Sequence, residues 1–159
     1  LNIFQKNKFY NMLDKTIPYV TEEGYQYLIR FAEFNSEYLP EEFTLPIVDV
    51  TIIVNGDLEK INTSKTLSKF TSLVNDYLNQ NNIILYFYCS NDPILKSSKR
   101  QTVSNAQYRS DLFCRMFEKQ NLDDTFICEN ILIEDLVNGN HHIHLISKIN
   151  NGEHIHIVK

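Results

Sequence analysis

The sequence predicts an α+β fold: one domain over residues 1–159, a largely antiparallel sheet with two helices on one face, in the order roughly βββαβαβββ. Three observations carry this. Apolar residues alternate with period two over residues 25–34 and 125–134, as half-buried strands require. Residues 63–80 and 104–120 switch to spacings of three and four, as amphipathic helices require. Between them lies a continuous apolar run, IILYFYC at 83–89, too short for a helix and rich in β-formers, which predicts a central strand.

The elements follow in order. Phe4, Phe9 and Tyr10 suit a short helix or an edge strand. Residues 17–21 read as a strand, Glu22, Glu23 and Gly24 as a turn, and 25–34 as a second strand whose Tyr25, Tyr27, Ile29 and Phe31 share one face. Gly24 supplies the positive φ that a tight hairpin needs. Residues 35–46 carry Pro40, Pro46 and several acids and form a polar loop. The β-branched stretch 47–54 is a third strand, closed by the turn signal Asn55-Gly56-Asp57. Asn62 or Thr63 caps the first helix, whose stripe is Leu67, Phe70, Leu73, Val74, Tyr77 and Leu78; Asn81 or Asn82 ends it through a left-handed residue. Residues 90–103 form a second polar loop. Ser104 and Gln107 then make a capping box, and the second helix carries Leu112, Phe113, Met116 and Phe117 on its apolar side, with Asp111 and Arg115 spaced to pair. After the strand at 125–134, a turn over residues 137–140 leads into two last strands, 141–149 and 153–158, joined by Asn150, Asn151 and Gly152.

All five histidines fall between residues 141 and 156. As a hairpin, this segment places Ile143, Leu145, Ile149, Ile155 and Ile157 on one face and His142, His144, His154 and His156 on the opposite, exposed one. His144 and His156 become diagonal neighbours, a weak pattern for a transition-metal sensor; no carboxylate stands at fixed spacing to them, and the expectation is that no metal or cofactor is bound.

With 43% apolar and 22% charged residues, the chain has the material for a core and is not of a disordered class. No apolar run approaches the ~18 residues of a membrane span, and no leader pattern opens the chain. It begins at Leu1 and not Met, which leaves room for an upstream piece. Cys89, Cys114 and Cys128 form no C-x-x-C pair and read as buried thiols of a cytoplasmic protein. Cys89 adjoins a basic loop that could lower its pKa, yet no partner in the pattern makes it a nucleophile. Hydrolase, P-loop, dinucleotide and kinase signatures are absent, so an enzyme is not expected.

Charge is unevenly spread. Residues 1–60 carry ten acids and five bases, residues 61–120 eight bases and four acids, and the remainder six acids and two bases, for a net charge of -5. Net acidity disfavours nucleic acid and suits a basic protein partner, with the acidic loop Glu37, Glu41 and Glu42 and the histidine face as the contact residues. The second reading is a nucleic-acid-binding or nuclease-like protein using Lys96, Lys99, Arg100, Arg109 and Arg115 with Asp92; against it, Arg109 and Arg115 lie six apart on the helix, about 240° around its axis, so they form no single stripe.

Cys89, Asp92, Arg109, Phe113, Arg115 and Phe117 form the pattern apolar strand–Cys–x–x–Asp, then Arg–x–x–x–Phe–x–Arg–x–aromatic. Together with Val20-Thr21, Gly24, Tyr27, Phe31 and Lys65-Thr66, this resembles a family of small bacterial proteins found mainly in Bacteroidota and known only as a domain of unknown function. The chain departs from it in a longer 92–109 loop, in Met116 where Trp is usual, and in its His-rich tail. The resemblance spans about residues 17–120 and implies no established activity. Physically, the Asp92 carboxylate can pair with Arg109 or Arg115 and fix the loop against the sheet. The expectation is a non-enzymatic bacterial docking module of the immunity-protein, antitoxin or defence-adaptor type.

Overall fold

In the computed structural model, residues 12–158 are described, and the expected packing of Phe4, Phe9 and Tyr10 lies outside them. Six strands form one sheet: β1 (Lys15–Val20), β2 (Gln26–Glu33), β3 (Ile47–Asn55), β4 (Ile84–Cys89), β5 (Phe126–Ile133) and β6 (His141–Lys148). Their spatial order is β1-β2-β3-β4-β6-β5. Every neighbouring pair is antiparallel except β3 with β4. That exception follows from α1 (Ser64–Gln80), whose 17 residues span roughly 25 Å and carry the chain back to the end at which β3 began. The fold is thus α+β, as expected, with a third, short helix added. Among the described residues no helix is long and apolar enough to cross a membrane.

Helices α1 and α2 (Asn105–Gln120) cover one face. On α1 the buried Phe70, Val74, Tyr77 and Leu78 recur at helical spacing and meet Tyr27, Ile29, Phe31, Val48 and Val50 of the sheet. The Phe31 and Tyr77 rings stack at 3.8 Å, and Tyr27 meets Phe70 edge-on at 4.9 Å. The Thr63 side chain accepts from the Thr66 amide and caps α1, but Asn81 ends it in extended backbone and not in a left-handed turn. On α2, Ser104 accepts from the Gln107 amide, yet the Gln107 side chain donates onward to Asp111 and not back to the cap, so only half of the capping box forms.

The last segment corrects the predicted hairpin. Residues 149–151 make a 3-10 turn and Gly152–Val158 form α3, with Gly152 in ordinary helical backbone. Helix α3 lies on the second face, where Ile155 is fully buried with Leu45, Ile47, Ile84 and Leu145. Seven residues are too few to hold a helix alone. Burial of Ile155 contributes about 2 kcal/mol, and the Asn151 amide bridges Asn82 and Ser147 at 2.8 Å to each. The Ile-His-Ile alternation resembles a strand, but Ile155 packs inward with Val158, three residues on, while Ile157 stays 60% exposed.

This placement buries β6 on both faces. His142 and His144, expected on an exposed surface, sit under α2, opposite Cys89 and Phe87 of β4. His144 is fully buried: Nε2 lies 2.9 Å from Ser110 Oγ, and its ring is 4.7 Å from that of Phe113. Burial, with a smaller push from His142, lowers its pKa to about 4. The unfolded chain takes up this proton near pH 6.5 and the folded chain only near 4. Stability is therefore unaffected above pH 6.5 and is lost as pH falls through that window, by roughly 3 kcal/mol from this group alone. Urea titrations at pH 7.5 and 4.5 are expected to show this loss in the wild type, and a shallower one in His144→Gln.

Candidate functional site

The seam between β3 and β4 is short. Only Ile47, Val48 and Asp49 pair with Ile84, Leu85 and Tyr86. Beyond them β3 runs six residues further along β2, and β4 three further along β6. The two strands part, and a cleft of about 1400 Å3 opens where they separate. Its helix-side wall is apolar, formed by Val50, Ile52, Phe70, Val74, Phe87 and Phe113. On the opposite side of the sheet, Thr51, Ile53, Tyr86, Tyr88, Phe34 and Tyr38 line it. Its charged lining is mostly acidic: Glu33, Asp49, Asp57 and Asp92 against Arg30 and Arg109.

Arg109 is consumed by the fold. Its guanidinium donates to the carbonyls of Ser90 and Asp92, both at 2.7 Å, and of Pro93 at 3.2 Å. Burial lowers its pKa, while the Asp92 charge opposes the shift. The predicted carboxylate pair is thus replaced by a carbonyl clamp: Asp92 offers its main chain, and its carboxylate accepts from Ser90 Oγ at 2.8 Å. Arg115 is exposed and takes no part.

Two further members of the predicted phosphate set are also committed. Lys96 donates to the Val103 carbonyl at 2.6 Å, and Arg100 pairs with Asp111, displacing the expected Asp111–Arg115 pair. Lys99 and Arg115 remain exposed. The five cations therefore form no open phosphate cradle.

Tyr88, at the lip of the cleft, is held from behind. Its hydroxyl lies 2.8 Å from His141 Nδ1, and His141 Nε2 lies 3.4 Å from an Asp135 carboxylate oxygen. Asp135 accepts from the amides of Val137 and Asn138 and from the Asn138 side chain, which together hold its carboxyl well below the usual carboxylate range. The sequence marks the turn at 137–140, and the signal in it for this capped loop is the carboxylate two residues ahead, Asp135.

Of the expected partner-binding residues, Glu37, Glu41 and Glu42 are exposed on the loop whose Tyr38 borders the cleft. His154 packs edge-on against Phe43 at 6.0 Å and is half-buried, and His156 is exposed on α3. The sheet separates His156 from His144, so the diagonal pair does not exist. Among the described residues no group of three or more His, Cys, Asp or Glu side chains is placed to hold a metal ion.

Burial disfavours the thiolate form of all three cysteines. Burial pushes Cys89 and Cys128 up to about 12 and raises Cys114; the charge of Arg109 acts on Cys89 in the lowering direction but is outweighed. The basic loop therefore does not activate Cys89. Comparisons with family models, with curated proteins and with solved structures give no match to this chain, so the functional reading rests on the geometry.

Two outcomes follow for urea melts. Arg109→Ala is expected to cost about 2–3 kcal/mol, because three carbonyls lose a charged donor. Arg109→Lys recovers only part of it, since an ammonium cannot span the same fork. Lys99→Ala and Arg115→Ala are expected to stay within about 0.5 kcal/mol of wild type.

Proposed function

We propose that this protein is a docking module for a basic protein partner, of the kind bacteria use as immunity proteins, antitoxins or defence adaptors, with the cleft between β3 and β4 as the seat and the 35–46 loop as its acidic margin. The observation that carries this is the cleft itself. At about 1400 Å3 it exceeds the roughly 300–1,000 Å3 of an ordinary small-molecule pocket. Its walls are aliphatic and aromatic and its charges mostly acidic. Apolar walls supply affinity through burial, and an acidic margin selects for positive charge and speeds encounter. The nuclease-like reading loses support, because Lys96, Arg100 and Arg109 hold the fold together.

Selection of a displayed library of random twelve-residue peptides on the full chain tests the proposal. Binders are expected to combine positive charge with aliphatic or aromatic residues. Ile53→Asp, which puts a carboxylate in the apolar lining, is expected to weaken them at least about tenfold, and the double variant Glu41→Lys, Glu42→Lys about threefold or more at low salt. Failure to enrich any peptide, or binders indifferent to Ile53→Asp, overturns it.

A further inference from the structure

Resting on the docking reading above, we infer that the partner enters the cleft as an extended segment added to the sheet as a strand between β3 and β4. The strands themselves carry this inference. Both continue past their last mutual pair: residues 50–55 of β3 stay in register with β2, and residues 87–89 of β4 with β6. Each is thereby held in strand conformation from its outer side, while its inner edge faces the other across the cleft. A strand edge is a row of unpaired amides and carbonyls, the template on which another chain pairs. Two such edges converge here on one space. An inserted strand would complete two ladders at once, which needs the edges about 10 Å apart, twice the ordinary spacing.

The geometry also fixes the orientation and the side-chain pattern of the segment. Because β3 and β4 run the same way, an inserted strand bears one relation to both, and antiparallel to both is the stronger choice. Successive side chains point to opposite faces. One set meets the apolar wall of Val50, Ile52, Phe87 and Phe113 beneath the helices. The other meets Thr51, Ile53, Tyr86 and Tyr88 on the open side. Asp49 stands at the closed end, and Asp57 and Asp92 follow the two strands at the mouth. Asp49 accepts from Thr51 Oγ1 and Asp92 from Ser90 Oγ, and with only Arg30 and Arg109 against the four acids the cleft lining keeps a net negative charge. The segment that fits is therefore one with aliphatic residues at every second position and Lys or Arg at its ends.

The test uses peptides selected on the full chain, remade with N-methyl groups on alternate backbone nitrogens. A methyl group removes a ladder donor and leaves the side chains in place. Either alternate set is expected to weaken binding at least about tenfold, and hydrogen exchange is expected to slow at residues 50–55 and 87–89 when the unmodified peptide binds. Peptides that bind but tolerate N-methylation, with no slowing at those amides, overturn the strand while leaving the docking reading standing. Enrichment of no peptide at all overturns both. Self-association of the chain in place of peptide capture gives the cleft to a second copy and overturns the inference as stated.

Discussion

Three residue pairs hold this sheet together at its middle. On one side of the β3–β4 seam lies an antiparallel meander, β1-β2-β3; on the other, a second antiparallel group, β4-β6-β5. Each half has long registers, eight pairs between β2 and β3 and eight between β5 and β6, whereas the seam has three. Hydrogen bonds across the seam alone would not make the two halves one body. What does so is the helix layer: α1 leaves β3 and returns to β4, and its buried side chains meet residues of both halves in one cluster that includes Phe31, Val50, Leu85 and Ile146. Burial of several large apolar groups, each contributing about 1.5–3 kcal/mol, outweighs a few net hydrogen bonds of roughly 1 kcal/mol each.

The same constraint explains the second face. Leu45 and Ile47 from the β3 side, and Ile84, Leu145 and Ile155 from the other, form a smaller cluster across the seam at its paired end. Helix α3 and the 39–45 loop cover only that end. The unpaired end of the seam lies open, and there the two faces of the sheet communicate through the cleft. Strand β6 is largely interior, and its two fully buried polar side chains are bonded, His144 to Ser110 and Ser147 to the Ile83 carbonyl.

Local periodicity made most of the fold legible. Alternation over 25–34 and the apolar run at 83–89 placed β2 and β4, and the stripe from Leu67 to Leu78 placed α1, because these segments bury one side in the way their spacing states. The tail departs from the expected hairpin because alternation over residues 141–149 and 153–158 fits two strands, and only tertiary packing of Ile155, together with the Asn151 bridges, turns the second of them into a helix. The basic residues of 96–115 depart from the expected phosphate set for a related reason. Charge is visible in a sequence, but whether a guanidinium faces water or three carbonyls depends on where a loop folds back, as at Arg109. The cleft was invisible, since the point at which two strands part is a property of their register and leaves no local mark.

A gap between strands matters for recognition only if it persists without a ligand, and here each lip is held from outside. The β3 lip is kept extended by its pairing with β2 through Asn55 and Gln26. Next to it, the Tyr27 hydroxyl donates to Asn62 at 2.6 Å and ties the strand's far end to the start of α1. The β4 lip is paired with β6 as far as Cys89 and His142. Just past its end, Arg109 gathers the carbonyls of residues 90, 92 and 93 onto α2, and the Asn91 side chain accepts from the amide of Ala106. Tyr88 is braced by His141 and, through it, by Asp135. These pairings are made on the sides of the two lips away from the cleft. On the docking reading, lips held in this way keep the ordering cost on the protein's side small.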